Sequence, residues 1–89
     1  MPDEPEYPAP LNAIAAPPSR QSEALSTVSR VPVIAKLVWP KYIQYVPALV
    51  TRTSEGKVLV QWRPNPFGSA TRLTWLKETD VRAELRYEK

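Results

Sequence analysis

Residues 54–63 read SEGKVLVQWR, and this stretch decides the fold class. Its first three residues have the composition of a tight turn, in which Gly56 supplies a positive φ angle. Hydrophobic side chains then fall on every second position from Val58 to Trp62, which predicts a strand with one apolar face over residues 57–63. The chain is therefore expected to be mainly β.

The flanking sequence predicts four or five short antiparallel strands joined by turns. The predicted strands are residues 31–39 (VPVIAKLVW), 42–53 (YIQYVPALVTRT, interrupted at Pro47), 57–63, 71–76 (TRLTWL) and 83–87. Residues 64–70 (PNPFGSA) form a loop, and residues 78–82 are typical of a 3₁₀ turn. A short helix is the alternative for residues 83–87, with the strand favoured. If the two strands beside the loop pair, Trp62 is expected to stack near Trp75.

The order of these elements from Tyr45 onward resembles an SH3-like small β-barrel of the Tudor, chromo-barrel or KOW kind. The matching elements are a strand at 48–52, the S-E-G turn, a strand at 58–62, a longer loop, a strand at 72–75, and Asp80-Val81-Arg82 where such barrels have a 3₁₀ turn. The resemblance is one of pattern over about half of the chain. It lacks the Gly-Asp-hydrophobic turn motif of KOW. It implies a small barrel of a kind in which binding modules are common, but the fold does not fix the function.

The first 30 residues differ in composition from the rest. Seven of the eleven prolines lie in the first 32 residues, and all three tryptophans follow them. Because proline fixes φ and removes an N–H group, we expect residues 1–30 to form an extended arm ahead of a β-barrel domain at 31–89. Ala24, Leu25 and Val28 fall at helical spacing, which indicates a short helix within residues 20–29 that needs a surface to pack on.

Composition argues against an enzyme. The chain has no His and no Cys, which removes the commonest general base and the thiolate metal ligands. With only two glycines it has no Gly-rich phosphate loop. Glu78 and Asp80 have the spacing to share a strand face, but in a turn Asp80 is expected to cap backbone N–H groups. We therefore predict a non-enzymatic protein without cofactor, metal or small-molecule substrate.

Targeting signals are not evident in the sequence. It contains no run of about 18 apolar residues. The acidic N-terminus has no basic region ahead of an apolar run, as a secretory signal would. These features predict no membrane partner, and an intracellular, cytoplasmic or virion location.

The charge of the chain is unevenly distributed. Residues 1–19 carry three acids and no base, whereas residues 31–77 carry seven bases against Glu55. A basic body attracts nucleic acid, an acidic protein face or its own arm. Nucleic-acid binding through phosphate contacts would use Lys41, Arg52, Lys57, Arg63 and Arg72. The acidic arm would repel phosphates and no RGG or Lys-rich tract is present, so this function is the alternative.

The favoured function is that of a structural or interaction protein. A body of about 59 residues buries only roughly 60% of its unfolded surface and has no disulfide, so its stability must come from its aromatic residues, its β-branched residues or an assembly partner. Prolines also reduce the free energy of ordering an arm on a surface. We predict a small accessory subunit, of a virion or another large assembly, that docks by its barrel and straps a neighbouring protein subunit with its arm. The expected contact residues are Pro5, Tyr7, Pro8, Leu25, Val28 and Phe67.

Two narrower functions are weighed against this one. Residues 5–8 (PEYP) have the PxxP spacing of SH3 ligands, but their neighbours are acidic rather than basic. Trp39, Tyr42, Tyr45 and Phe67 have the side chains of an aromatic cage for a methylated cation. Core packing is expected for most of these rings, and Phe67 is expected to be the most exposed.

Overall fold

Alternating apolar residues build one antiparallel sheet of six strands in the computed structural model, which describes residues 9–83. The strands are β1 (Glu23–Ala24), β2 (Val31–Trp39), β3 (Tyr42–Ser54), β4 (Lys57–Trp62), β5 (Arg72–Lys77) and β6 (Val81–Ala83). The sheet is open, with the order β5-β4-β3-β2-β6, and β1 pairs with β3. Short 3₁₀ turns lie at Ser19–Gln21, Thr27–Ser29 and Glu78–Asp80. The prediction of a mainly β, antiparallel fold is confirmed.

Strand boundaries follow the local sequence pattern closely. The strand predicted at 31–39 is β2, and the predicted tight turn joins β3 to β4 with Gly56 at φ +71°. The 3₁₀ turn predicted within 78–82 is also present. The last strand, β6, starts at Val81, two positions before the predicted one. Residues 84–87 of that prediction lie outside the described residues.

The core lies on one face of the sheet. The core residues come from β2 to β5, and in β2 and β4 they fall on every second position, as the period-two pattern requires. The buried apolar residues are Val33, Ala35, Leu37, Val46, Val50, Val58, Val60, Trp62 and Leu76. Leu37, Val60 and Leu76 are the largest fully buried side chains. Burying a side chain of this size stabilises the fold by about 1.5–3 kcal/mol, so these three anchor β2, β4 and β5 to each other.

The expected stacking of Trp62 near Trp75 is wrong. β4 and β5 do pair, but Leu59 lies opposite Trp75 and Arg72 lies opposite Trp62. The two tryptophans therefore project from opposite faces of the sheet, because adjacent positions on a strand alternate between faces. Trp62 packs edge-on against Trp39 instead, with ring centroids 6.4 Å apart at 60°.

The expected interruption at Pro47 is also wrong, since β3 runs through it without a break. Pro47 lies opposite Ile34 of β2, while the pairing of β3 with β4 begins only at Leu49. A residue without an N–H group is tolerated where a strand has a neighbour on one side only. The irregularity in β3 falls later, between Val50 and Arg52, where the register with β4 shifts.

The N-terminal segment, residues 9–30, contacts the sheet at several points. The N–H of Leu11 donates to the carbonyl oxygen of Val38 at 2.7 Å, and the N–H of Ile14 donates to that of Trp75 at 2.9 Å. In place of a short helix at 20–29, the segment has β1 between its two 3₁₀ turns. β3 extends past the start of β2, so β1 pairs with the edge that β2 leaves free. This pairing satisfies backbone groups that a lone helical turn leaves unbonded.

Candidate protein-binding groove

The open edge of β3 borders a groove in the surface of the sheet. β3 pairs with β2 from Tyr42 to Val50, but β4 joins it only from Leu49 onward. Within the described residues, the other side of β3 therefore has no strand beside it over residues 42–48. A groove of about 580 Å³ lies here. It is lined by Gln44, Val46, Pro47, Ala48, Leu49, Gln61, Trp62, Arg63, Pro64, Pro66 and Thr71.

The register determines which backbone groups of β3 face this edge. The backbone groups of Val38 bond to Leu11 and to the side chain of Asn12, on the side of β2 away from β3. Because bonding direction alternates along an antiparallel strand, Val38 and its partner Ile43 do not bond each other. The N–H and C=O groups of Ile43 and Tyr45 thus point to the open edge. Pro47 follows the same alternation and offers only its carbonyl oxygen there.

The loop at residues 63–71 forms the facing wall of the groove. Asn65 organises this loop: its Oδ1 accepts from the N–H of Phe67 at 3.0 Å, and its carbonyl oxygen accepts from the N–H of Gly68 at 3.0 Å. Pro64 and Pro66 restrict the backbone further and line the groove. The loop presents Phe67 with 96% of its surface exposed. A large apolar side chain displayed on a stiff turn is suited to insertion into a partner.

The groove is apolar and carries a positive charge at one end. Trp62, which is buried, forms part of its wall, and Arg63 is exposed beside it. Arg63 is the charged residue among those that line the groove, and no Asp or Glu lines it within residues 9–83. Lys41 is exposed in the β2–β3 turn, beyond the other end of the open edge. An acidic ligand therefore meets favourable charge at both ends.

The predicted nucleic-acid residues are distributed over separate places. Lys57 starts β4 opposite Lys77 of β5, whereas Arg63 follows the end of β4, about 20 Å further along the strand at roughly 3.3 Å per residue. Arg52 is half-buried, and its Nε donates to Oγ of Ser22 at 3.0 Å. Arg72 lies opposite Trp62 and Lys41 lies in the β2–β3 turn. The structure brings Arg63 and Arg72 near one end of the sheet but does not gather all five.

The predicted protein contacts also lie in different environments. Leu25 packs against the core of its own chain, and its N–H donates to the carbonyl oxygen of Thr51 at 2.8 Å. Val28, by contrast, is 92% exposed in its 3₁₀ turn. Phe67 lies on the loop at residues 63–71 next to Pro66, which lines the groove, but is not itself a lining residue. Pro5, Tyr7 and Pro8 lie outside the described residues.

The four candidate cage aromatics do not line one cavity. Trp39 and Tyr42 contact each other, with ring centroids 6.3 Å apart at 32°. Tyr45 lies on the opposite face of β3 from Tyr42, and the guanidinium of Arg82 lies 5.7 Å from its ring centroid. Phe67 is on the loop at residues 63–71. Trp39 itself donates from Nε1 to Oε1 of Gln44 at 2.9 Å.

Asp80 has a different role from the expected backbone cap. Its Oδ2 accepts a 3.1 Å hydrogen bond from Nδ2 of Asn12. Asn12 also donates from Nδ2 to the carbonyl oxygen of Lys36 at 2.7 Å and accepts at Oδ1 from the N–H of Val38 at 3.0 Å. One side chain thus joins the N-terminal segment to β2 and to the turn before β6. No sequence motif marks Asn12, because its partners are distant in the chain.

The described residues show no metal site and no membrane-spanning helix. No group of three or more His, Cys, Asp or Glu side chains in residues 9–83 is placed to hold a metal ion. No helix in that range has the length and apolar character needed to cross a membrane. Comparison of the chain with family models, curated proteins and solved structures found no match. Among the described residues, the groove beside β3 is therefore the candidate functional site.

Proposed function

We propose that this chain is a non-enzymatic interaction protein, a small accessory subunit of a larger assembly. It binds a neighbouring protein subunit through the groove beside β3 and through Phe67. The observation that carries this proposal is the 96% exposure of Phe67 on a hydrogen-bonded turn beside an apolar groove. A few residues, often large aromatic side chains that fill a pocket on the partner, supply most of the binding free energy in protein interfaces.

We further propose that the sheet closes as an SH3-like barrel. The strand order supports this, because β5 and β6 occupy the two edges of the sheet and are joined by one 3₁₀ turn. The N-terminal segment adds support, since Leu11 bonds to β2 and Ile14 bonds to β5. Leu11 and Ile14 are three positions apart in the chain. This short segment thus connects the part of the β2 edge that β6 leaves free with the edge of β5.

Strapping of a neighbour by the N-terminal arm remains part of the proposal. Its candidates are Pro5, Tyr7 and Pro8, with Val28 as the exposed apolar residue of the described segment. Leu11, Asn12, Ile14 and Leu25 already use their backbone or side chains within the chain. The strap is therefore expected from residues ahead of Pro10 and from the turn at Thr27–Ser29.

The test is native co-purification of the tagged chain with identification of the subunit that accompanies it. Phe67→Ser is expected to reduce the amount of that subunit at least tenfold while leaving the unfolding midpoint unchanged, because Phe67 has little packing to lose. Leu73→Ser is the matched control, since Leu73 is also exposed, at 61%, but lies on β5 and not on the loop at residues 63–71. Equal recovery of the subunit with Phe67→Ser and wild type would overturn the proposal.

Nucleic-acid binding is the second candidate, favoured by one observation. Lys57 and Lys77 are exposed and directly opposite each other on β4 and β5. Like charges in this position repel, and a bound phosphate would relieve the repulsion. Affinity for a single-stranded oligonucleotide would then fall steeply with salt, and Lys57→Gln with Lys77→Gln would flatten that slope. No binding at about 50 mM salt eliminates this candidate.

A further inference from the structure

We propose that the partner contributes an extended acidic segment, which adds to the open edge of β3 as an extra antiparallel or parallel strand between Ile43 and Pro47. This inference rests on the proposed function and specifies the chemistry of the partner. Its basis is the coincidence of three features: backbone groups on β3 that no other backbone within residues 9–83 pairs with, an apolar groove beside them, and cationic residues at both ends.

The open edge of β3 offers both donors and acceptors for hydrogen bonds. The N–H groups of Ile43 and Tyr45 and the carbonyl oxygens of Ile43, Tyr45 and Pro47 face the open edge, as the register shows. No backbone bond to these groups from outside the strands is found among the described residues. An added strand forms main-chain hydrogen bonds with such an edge. Pockets beside the edge then select the sequence of the added strand through its alternate side chains.

The groove supplies those pockets. An added strand lies about 4.8 Å from β3, which places it between β3 and the loop at residues 63–71. Side chains on one face of that strand meet Trp62, Pro64 and Pro66 in the groove. Ile43 and Tyr45, exposed by 51% and 54%, meet side chains on the other face. Both faces of the added strand therefore have apolar contacts, so alternate residues of the segment are expected to be apolar.

Charge identifies the flanks of the segment as acidic. Arg63 lies at the β4 end of the groove and Lys41 in the turn at the other end. Within residues 9–83, no acidic residue lines the groove to compete for Arg63. A carboxylate that reaches Arg63 forms a charge-assisted hydrogen bond that is stronger than a neutral one.

A second copy of this chain is a poor occupant of the edge. Antiparallel pairing of two β3 edges about Tyr45 would set Pro47 of one copy opposite Ile43 of the other. Pro47 has no N–H group, so the carbonyl oxygen of each Ile43 would lose its donor. Two copies would also bring like charges together near Lys41 and Arg63. Proline on an edge strand is a common protection against this kind of self-pairing.

The experiment uses the full chain and a synthetic peptide, acetyl-EVTVEVE-amide, with a matched peptide in which Lys replaces every Glu. Binding is followed by NMR amide shifts and by hydrogen exchange at Ile43 and Tyr45. The acidic peptide is expected to bind at least tenfold more tightly than the basic one and to slow exchange of both amides at least tenfold at saturation. Arg63→Glu is expected to abolish this preference, whereas Arg20→Glu, an exposed reversal outside the groove, leaves it unchanged.

Two substitutions at one position separate the backbone from the side chain. Tyr45→Pro removes an edge N–H group and is expected to weaken peptide binding at least tenfold. Tyr45→Thr removes the ring but keeps the N–H group, and is expected to weaken it less. Should Tyr45→Pro lower the unfolding midpoint, Ile43→Pro tests the other edge donor, and the exchange data on the wild-type chain decide without any variant.

Several results would overturn the inference. One is equal affinity for the acidic and basic peptides; another is unchanged exchange at Ile43 and Tyr45 when peptide is saturating. Protection of both amides before peptide is added would assign the edge to another occupant: a second copy if the chain is then dimeric, or its own N-terminus if deletion of residues 1–8 removes the protection. The co-purification of the Phe67→Ser variant is a separate readout. If the peptide binds at β3 but Phe67→Ser does not change co-purification of the partner subunit, the proposed function is refuted and strand addition at β3 is upheld.

Discussion

The indole Nε1 of Trp62 donates a 2.9 Å hydrogen bond to Oγ1 of Thr74, and both residues are buried at the β4–β5 pairing. This bond explains why a hydroxyl is retained on the core face of β5. Trp62 needs a partner for its N–H because a buried polar group without a hydrogen bond is destabilising. The hydrogen bond also holds the indole of Trp62 at the angle at which this ring packs against Trp39.

Thr74→Val is therefore expected to destabilise the chain, although it conserves shape. The indole N–H loses its acceptor while remaining buried, which costs about 1–3 kcal/mol. Urea unfolding followed by Trp fluorescence measures the change. Thr71→Val is the control, because Thr71 is exposed and accepts only a 3.3 Å bond from Nε2 of Gln61 among the bonds described for it. A Thr74→Val midpoint equal to that of the wild type would show that the indole finds another acceptor.

Asn12 is expected to be essential for holding the N-terminal segment on the sheet. Asn12→Asp keeps the shape but removes both donors, and it sets a carboxylate against Asp80 and the carbonyl oxygen of Lys36. The loss should be about 2–3 kcal/mol, since it leaves acceptors unpaired and adds repulsion. Asn65→Asp is the matched control: it makes the same chemical change at an exposed residue whose role is to accept from Phe67.

The contribution of the Asn12–Asp80 contact is separable by a double-mutant cycle. In Asn12→Asp with Asp80→Asn, donor and acceptor exchange places, so this bond can re-form with opposite polarity. The bond to Lys36 cannot re-form, because residue 12 still lacks a donor. The double variant is expected to recover part of the stability lost in Asn12→Asp, with a coupling energy of about 0.5–3 kcal/mol. Strict additivity of the two single effects would contradict direct contact between the side chains.

Truncation tests whether the N-terminal segment belongs to the folded unit. Deleting residues 1–8 leaves the bonds of Leu11, Asn12 and Ile14 in place, so the urea midpoint should hardly change. Deleting residues 1–26 removes those bonds, the pairing of β1 and the packing of Leu25. With each hydrogen bond worth a net 0.5–1.5 kcal/mol or so, a loss of roughly 3 kcal/mol or more is expected. Equal midpoints for the two deletions would instead make residues 9–26 an independent arm.

The strands were predictable because their signal is local. Val58, Val60 and Trp62 reveal β4 by alternation alone, and Gly56 marks the turn before it. The partner of Trp62 was not predictable in this way, because the register between β4 and β5 is set by the loop at residues 63–71. A slip of one residue in the register exchanges the two faces of a strand. The wrong prediction for Trp62 and Trp75 therefore corresponds to a register that differs by a single residue.

The groove, too, was only partly predictable from the sequence. Phe67 stands out in the sequence because prolines, Asn65 and Gly68 surround it in a loop. The open edge is not visible in the sequence, because it results from a difference in strand length. β3 has thirteen residues, whereas β4 has six and pairs with only part of it. β1 was missed because two residues carry no periodicity. Its place on β3 follows from where β2 begins, which is a property of the assembled sheet.

Gly56 offers a test of backbone conformation free of packing effects. It has φ +71°, and a Cβ added there would meet nothing within 4 Å. Gly56→Ala should therefore destabilise through the left-handed conformation alone, by about 1–2 kcal/mol. Gly56→Asn should cost less, because Asn tolerates this region better than other non-glycine residues. Thermal unfolding of both variants should rank them wild type, Asn, then Ala.

Gly68 is the control for this substitution. Among the described residues Gly56 is the glycine with positive φ, and at Gly68 an added Cβ would lie 3.5 Å from Nδ2 of Asn65, an ordinary contact. Gly68→Ala is thus expected to be neutral or to stabilise by up to about 1 kcal/mol, because it reduces the entropy of the unfolded chain. If Gly68→Ala proved as harmful as Gly56→Ala, the cost would lie in the loss of glycine flexibility in general. The positive φ between β3 and β4 would then not be what the turn requires.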